Sequence, residues 1–448
     1  MSEQVRQIVA MSKPNAYRGD GDRADVRYIP SRTLAGIYRQ EGAVYVLPDF
    51  ADVREYATQL DLIRAKLMVR GINEPDLVYI PEVDEILDIS IQQQIELLTS
   101  RLDPSIPHIV RPYSHTPENE AWMNLLRTRG YDVNANIALK SEDLQSLDNR
   151  GGWGRHIWDP SFIPTPEKAH IPYPASWIGR NANEAVEAYV RVAEATNDPR
   201  VQIKGVLSAG GFVNATVQTP EEAEHTYMEF LQRGALGQTG AVEMQGFIPD
   251  LDSTNGIFSL QYSTTPTGLH VIDTPSGISS QIMDTKNEWI GNRFNDPRLV
   301  SEFSANVHAL FDEIAQVLNG SVAKGGIDIG ATRTTESGLV VIEHNAKRMT
   351  GAHPAIELMD ALGVPRKMPA VSKKCERNIN CDLATLWDVL ESTGNSFDPV
   401  TKTGIFPICW MNGHYGMLMA FGPVESTEIL ERQIDQVYNH LAQIGLAT

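Results

Sequence analysis

The stretch KGGIDIGATRTTESGLVVIEHNAKRMTGAHP, residues 324–354, decides the fold of this chain. Its apolar and glycine-rich ends predict two short strands, at 326–330 and 339–345, and the polar residues 336–338 predict the turn before the second strand. The segment therefore predicts an antiparallel hairpin with acidic residues inside its strands.

The acidic residues of this hairpin suggest a metal site. A hairpin centred between residues 335 and 336 would place Asp328 directly opposite Glu343, and Asn345 would point to the same face because side chains alternate along a strand. Two carboxylates so close repel each other unless a cation lies between them, and oxygen ligands of this kind favour Mg²⁺. Lys347 and Arg348 follow at once and are suited to holding phosphates. The alternative is a surface hairpin with scattered charges.

The composition limits the class of protein. The chain has 448 residues, of which 42% are hydrophobic and 21% are charged, and this is enough for two or three globular domains. The formal net charge of −19 argues against nucleic acid as a partner, because phosphate backbones require a basic surface. A phosphate ligand in a local basic pocket remains compatible with this charge.

The three cysteines and the apolar runs exclude several further classes. Cys375, Cys381 and Cys409 are too few and too unevenly spaced for a disulfide framework, and none has the C-x-x-C spacing of a zinc site. We find neither a signal peptide nor an apolar run of the ~20 residues that a membrane span requires. We therefore expect a cytoplasmic protein with no membrane partner.

A glycine-rich loop supplies a second motif. Lys204 lies in a predicted strand that runs directly into Ser208, Gly210 and Gly211. Glycines let the backbone approach a phosphate, and a lysine on the preceding strand can neutralise its charge. An ordinary hairpin turn with an exposed lysine is the alternative, since a Walker A sequence is absent.

A third motif lies in the strand predicted at 241–250. Glu243, Gln245 and Phe247 share one face of it, where a carboxylate and an amide could read the amino group of adenine. Asp250 or Asp252, at the end of this segment, could accept hydrogen bonds from ribose hydroxyls. An edge strand with one solvated face would show the same pattern.

Taken in order, these motifs resemble the ATP-grasp superfamily. That family has a phosphate-binding lysine with a glycine-rich loop, then an adenine-contacting strand, and finally an acid followed by an E-x-N magnesium motif. Within it, EHNAKRMTGAHP is most similar to the peptide ligases of the pheganomycin type. The family's usual arginine, four residues after the glutamate, is replaced here by Lys347, with Arg348 next.

The resemblance implies an α/β chain, more specifically an α+β ATP-grasp fold, preceded by a βα domain. The alternating strands and helices of that first domain independently predict a parallel sheet. We expect an N-terminal arm at 1–37, a βα domain at 38–147, a small lobe with its linker at 148–245, a large lobe with the magnesium site at 246–370, and a C-terminal αβ segment at 371–448.

The resemblance further implies ATP-dependent amide or peptide bond formation through an acyl phosphate. ATP and Mg²⁺, or Mn²⁺ in its place, would be the cofactors, and a carboxylic acid with an amine or peptide would be the substrates. The family's members are often dimers, so a homodimer is compatible. Lys204 and Lys347 or Arg348 would complete the phosphate cradle, and Arg293 is a candidate to hold the substrate carboxylate or acyl phosphate. A carboxylate kinase, a carboxylase-like enzyme and a nucleotide-binding protein without chemistry are the alternatives.

Overall fold

The structure is a computed structural model. It describes residues 6–10, 44–48, 51–66, 76–80, 95–96, 98–100, 102–110, 117–135, 173–205, 214–236, 240–251, 257–265, 268–271, 278–284, 289–295, 324–333, 338–345, 352–413 and 415–448.

The N-terminal domain contains a parallel sheet, as its alternating pattern predicts. Five described strands lie in the order β3-β2-β1-β4-β5, and every described pairing between them is parallel. The central strand comes from the segment expected to be an arm. Its apolar run is only three residues long, Ile8–Ala10, and it is recognised as a strand by its pairing with two neighbours in the sheet. The elements are β1 (Arg6–Ala10), β2 (Val44–Pro48), α1 (Ala51–Lys66), β3 (Asp76–Ile80), β4 (His108–Val110), α2 (Pro117–Thr128) and β5 (Val133–Ala135).

The small lobe is an antiparallel sheet with two helices against it. Its strand order is β6-β9-β7-β8, which places the strand of Lys204 beside the strand of Glu243. Thr219 caps the second helix by accepting from the Glu222 amide at 3.1 Å. The elements are β6 (Ser176–Gly179), α3 (Ala182–Thr196), β7 (Val201–Gly205), β8 (Asn214–Val217), α4 (Pro220–Gln232) and β9 (Val242–Gly246).

The large lobe is built on one sheet to which nine of the described strands belong. Its order is β15-β14-β10-β12-β13-β16-β18-β17, with β11 paired to β10. The sheet continues across the boundary expected at residue 370, because its last three strands lie at 370–374, 404–411 and 415–421. The strands are β10 (Ile257–Thr265), β11 (Gly268–Val271), β12 (Ile278–Met283), β13 (Trp289–Phe294), β14 (Lys324–Ala331), β15 (Leu339–Asn345), β16 (Ala370–Lys374), β17 (Gly404–Met411) and β18 (Tyr415–Phe421).

Three C-terminal helices, α5 (Ala352–Leu362), α6 (Leu383–Ser392) and α7 (Thr427–Gln443), share an apolar core with this sheet. The core includes Trp387 of α6, which meets Phe406 of β17 edge to face with ring centroids 5.7 Å apart. Within the part of the chain that is described, no helix is both long and apolar enough to cross a bilayer.

The N-terminal domain is attached to the C-terminal helices at the start of α6. Gln59 on α1 accepts from the Leu383 amide at 2.8 Å and donates to Asp382 Oδ2 at 3.3 Å. Asp382 in turn caps α6 by accepting from the Thr385 amide at 2.8 Å. One carboxylate therefore stabilises both a helix end and an interdomain contact.

We predict that Asp382→Ala destabilises the protein by about 1 kcal/mol at neutral pH, the typical cost of losing a helix N-cap. Hydrogen bonds from Thr385, first from its side chain and then from its backbone, with a smaller one from Gln59, lower the pKa of Asp382 below its ordinary value of 3.8. A lowered folded-state pKa adds stability above the unfolded value, and this is lost as the pH falls through the folded value.

The difference between wild type and Asp382→Ala in the urea midpoint should therefore shrink below about pH 3.8. Asp382→Asn keeps an N-cap and is the matched control. An equal loss in both variants at neutral pH would contradict the capping role.

Candidate active site

The predicted hairpin is present, and its register places the two acids together. Asp328 of β14 pairs directly with Glu343 of β15, and the second strand has the predicted bounds. The next pair is Ile329 with Val341, so Ile342 is an extra residue, a β-bulge beside the acids. Bulges bend a strand and redirect the groups around them. Both carboxylate side chains are half-buried.

Asp328 is oriented by a buried serine. Ser259 Oγ donates to Asp328 Oδ1 at 2.7 Å, and Gln261 Nε2 donates to Ser259 Oγ at 2.7 Å. Ser259 and Gln261 lie two residues apart on β10, the strand that pairs with β14 at Asp328. Ser259 and Gln261 thus form a polar layer beneath the Asp328 carboxylate, and their hydrogen bonds fix its orientation.

This polar layer continues across the sheet through β12 and β13. Trp289 Nε1 donates to Asn292 Oδ1 at 3.0 Å, and Asn292 Nδ2 donates to Ser279 Oγ at 3.0 Å. Ser279 Oγ reaches the Ser259 carbonyl at 3.4 Å. Sequence reasoning missed these residues, because short strands that contain several polar residues look like loops. The apolar residues at the ends of ISSQIM and WIGNRF, on either side of the polar ones, are the signal that could have found them.

Lys204 reaches the hairpin from the small lobe. Its ammonium donates to Gln245 Oε1 at 2.5 Å and to the carbonyl of the bulge residue Ile342 at 3.4 Å. The Lys204 residue is only 6% exposed, so these acceptors offset part of the cost of burying a charge. The structure thus brings the predicted phosphate lysine beside the predicted metal hairpin.

The other residues of the third motif have separate environments. Glu243 is fully buried, pairs with Lys204 across the sheet and accepts from the Tyr173 hydroxyl at 2.8 Å. Phe247 lies just beyond β9, and the Arg200 guanidinium carbon lies 4.4 Å from its ring centroid. Asp250 is exposed.

Arg293, the candidate for holding the substrate carboxylate, is not brought to this site. Its Nε and Nη2 donate to Glu431 Oε2 on α7 at 3.0 and 2.7 Å. Lys373 donates to Glu431 Oε1 at 3.3 Å and to Asp435 at 2.7 Å. Because Arg293 follows Asn292 on one strand, it lies on the face of the sheet opposite the polar layer. Its charge serves the attachment of α7.

The remaining predicted site residues lie outside the described part of the chain. These are the loop residues Ser208, Gly210 and Gly211, together with Lys347 and Arg348. Asn345 is described only as a position in β15, where it pairs with Gly326, two residues beyond Glu343. Their roles therefore stay predictions.

The acids suit a hard divalent cation. Oxygen ligands from carboxylates and waters are those that Mg²⁺ prefers, and Asp328 and Glu343 supply two of them from adjacent strands. Among the described residues no group of three histidine, cysteine, aspartate or glutamate side chains could hold a metal. A metal here would complete its coordination with Asn345, water or ligand oxygens, as Mg²⁺ usually does with phosphates.

Structural comparison decides the fold. No protein-family model and no curated protein sequence matches the chain. Solved structures do match across nearly its whole length, at low sequence identity. A Campylobacter jejuni biotin carboxylase in complex with β,γ-ATP aligns with a TM-score of 0.56 and 11% identity, covering 93% of this chain and 87% of its own.

Two further structures give the same result. The biotin carboxylase domain dimer of Hydrogenobacter thermophilus 2-oxoglutarate carboxylase, with MgADP, ADP and bicarbonate, aligns with a TM-score of 0.59 and 12% identity over 96% of this chain and 89% of its own. Carboxyaminoimidazole ribonucleotide synthase from Aspergillus clavatus, with ATP, aligns with a TM-score of 0.56 and 8% identity over 98% and 99%.

The chain has the ATP-grasp fold. The predicted α+β class is therefore confirmed, and Lys204 and the Asp328–Glu343 pair lie on the two lobes of this fold. The likeness to peptide ligases of the pheganomycin type has no counterpart among these structures.

We predict that Ser259→Ala weakens divalent cation binding by about 10- to 100-fold, the usual effect of removing a residue that orients a metal ligand. Binding of Mn²⁺ in the presence of ADP, followed by electron paramagnetic resonance, measures it. Ser280→Ala is the matched control, because Ser280 is also buried but follows Ser279 and so faces the other side of the sheet. Equal effects of the two substitutions would contradict the orienting role.

Proposed function

We propose that this protein is an ATP-dependent ligase that joins a carboxylate to an amine through an acyl phosphate. The observation that carries the proposal is the meeting of Lys204 with the bulged hairpin that bears Asp328 and Glu343. A lysine and paired acids are the groups that hold phosphates and their cation in phosphoryl transfer. The ATP-grasp fold supports the same chemistry.

The proposed reaction has two steps. A substrate carboxylate oxygen attacks the γ-phosphorus of ATP, and ADP leaves with the electrons of the broken phosphoanhydride bond. The amine then attacks the acyl carbon, loses a proton, and phosphate leaves. Because carboxylates are poor electrophiles, the protein's contribution is to position both reactants and to neutralise the transferring phosphoryl group.

The predicted site residues would divide between phosphate binding, metal binding and nucleoside binding. Lys204, with the backbone of Ser208, Gly210 and Gly211, would hold the phosphates. Asp328, Glu343 and Asn345 would hold Mg²⁺ or Mn²⁺, which when bound neutralises phosphate charge. Beyond β9, Phe247 and Asp250 would lie near the base and ribose, with Glu243 behind them, while Lys347 or Arg348 would add positive charge.

The finer reading is a peptide ligase. It rests on the similarity of EHNAKRMTGAHP to the pheganomycin type, and it predicts amino acids or peptides as substrates. A carboxylase-like reaction is the second candidate, because two of the similar structures are biotin carboxylases or their domains. A homodimer is also a proposal; one of those structures is described as a dimer.

A substrate matrix distinguishes these reactions. ADP release is measured with ATP and Mg²⁺ against pairs of amino acids and small peptides, and separately with bicarbonate. The ligase proposal expects release that requires both a carboxylate and an amine. Release with a carboxylate alone would instead indicate a carboxylate kinase, and release that requires bicarbonate would indicate a carboxylase-like enzyme.

We predict that Glu343→Gln lowers the rate of ADP release by about 10²- to 10³-fold, the typical loss when one preorganised group that stabilises transition-state charge is removed. ATP should still bind, since Lys204 and the rest of the cradle remain. The control is Glu425→Gln, an exposed carboxylate in the connection between β18 and α7. Full activity of Glu343→Gln would contradict the catalytic role of Glu343. Circular dichroism checks that each variant is folded.

A further inference from the structure

We propose that Gln245 is a positioning residue that holds Lys204 against the metal hairpin, rather than a reader of adenine. This inference rests on the proposed ATP site and assigns a residue within it. Its basis is a three-membered hydrogen-bonded group made of Lys204 and Gln245 from the small lobe and the Ile342 carbonyl from the large lobe. We call this group the lobe bridge.

Both ends of the Gln245 amide are used within the lobe bridge. Its Oε1 accepts from Lys204 Nζ at 2.5 Å, and its Nε2 donates to the Ile342 carbonyl at 3.1 Å. An amide offers one acceptor and one donor group, so a buried glutamine can join a cation to a carbonyl without adding charge. Gln245 is 1% exposed, which leaves little surface for an adenine ring.

The position of Ile342 explains why the lobe bridge forms there. Ile342 is the extra residue of the bulge that lies directly before Glu343. Its carbonyl accepts from both Lys204 and Gln245, so the small lobe is tied to the backbone that carries the metal-binding acid. A cation that neutralises phosphates is thereby fixed relative to the metal that bridges them.

A comparison of glutamine with glutamate at position 245 shows what the neutral amide contributes. Lys204 pairs across the sheet with Glu243, and Glu243 accepts from Tyr173. A carboxylate at position 245 would bind the lysine as an ion pair and compete with phosphate for it. A neutral amide orients the ammonium with a weaker, uncharged acceptor and adds no negative charge of its own beside the lysine.

A double-mutant cycle on ATP binding tests the proposal. We expect Gln245→Met, which keeps the volume but removes both hydrogen bonds, to weaken MgATP binding by about 10- to 100-fold, the range for losing hydrogen bonds to a buried charged group. In a Lys204→Met background the same change should have almost no effect, because Gln245 acts through Lys204. Isothermal titration calorimetry measures all four proteins.

The matched control is Gln202→Met. Gln202 lies on the same face of the same sheet, directly opposite Gln245, but its amide bonds with Asn214 and Thr216 at the exposed edge. We expect wild-type affinity for this variant. If Gln245→Met does not fold, Gln245→Asn, which shortens the side chain by one methylene, takes its place in the cycle.

The outcomes separate this proposal from the proposed function. Additive effects in the cycle, or wild-type affinity in Gln245→Met, would overturn the positioning role. A loss of the preference for ATP over GTP in Gln245→Met would also overturn it and restore adenine reading. Failure of the wild-type protein to bind MgATP at all would instead remove the ATP site itself, and with it both proposals.

Discussion

The site depends on one electrostatic constraint, the placement of two carboxylates opposite each other in adjacent strands. Asp328 and Glu343 are half-buried and directly paired, so their repulsion must be balanced by positive charge. Nearby residues supply part of that positive charge and orient the acids to bind a cation. Lys204 reaches the neighbouring backbone from the other lobe, and Ser259 fixes the direction of one acid. A divalent cation between the two acids would complete the balance.

The two faces of the large sheet carry different charged groups. The face that bears Asp328 carries neutral hydroxyl and amide groups, which orient the acid without competing for a cation. The opposite face carries the Arg293–Glu431 and Lys373–Asp435 pairs, which join α7 to the sheet. Both faces are polar in part, but only the first is arranged around a carboxylate pair.

Sequence patterns predicted the features of the fold that depend on residues close together in the chain. The pairing of Asp328 with Glu343 agrees with the predicted hairpin, although nearer the turn the bulge shifts the pairing by one residue. The parallel N-terminal sheet followed from alternating elements. Long-range partners were beyond these rules. Arg293 is neutralised by a residue 138 positions away, and the first strand, Arg6–Ala10, is recognisable only beside its neighbours. The bulge at Ile342 has no glycine or polar signal, and it became visible only through the pairing on both sides.

The most direct test of the account is the position of the metal. A crystal structure of the protein with Mn²⁺ and a non-hydrolysable ATP analogue, with anomalous diffraction at the manganese edge, would locate it. We predict an anomalous peak coordinated by Asp328 and Glu343 and by phosphate oxygens, with Lys204 beside the same phosphates. A nucleotide bound with its metal away from these two carboxylates would contradict it.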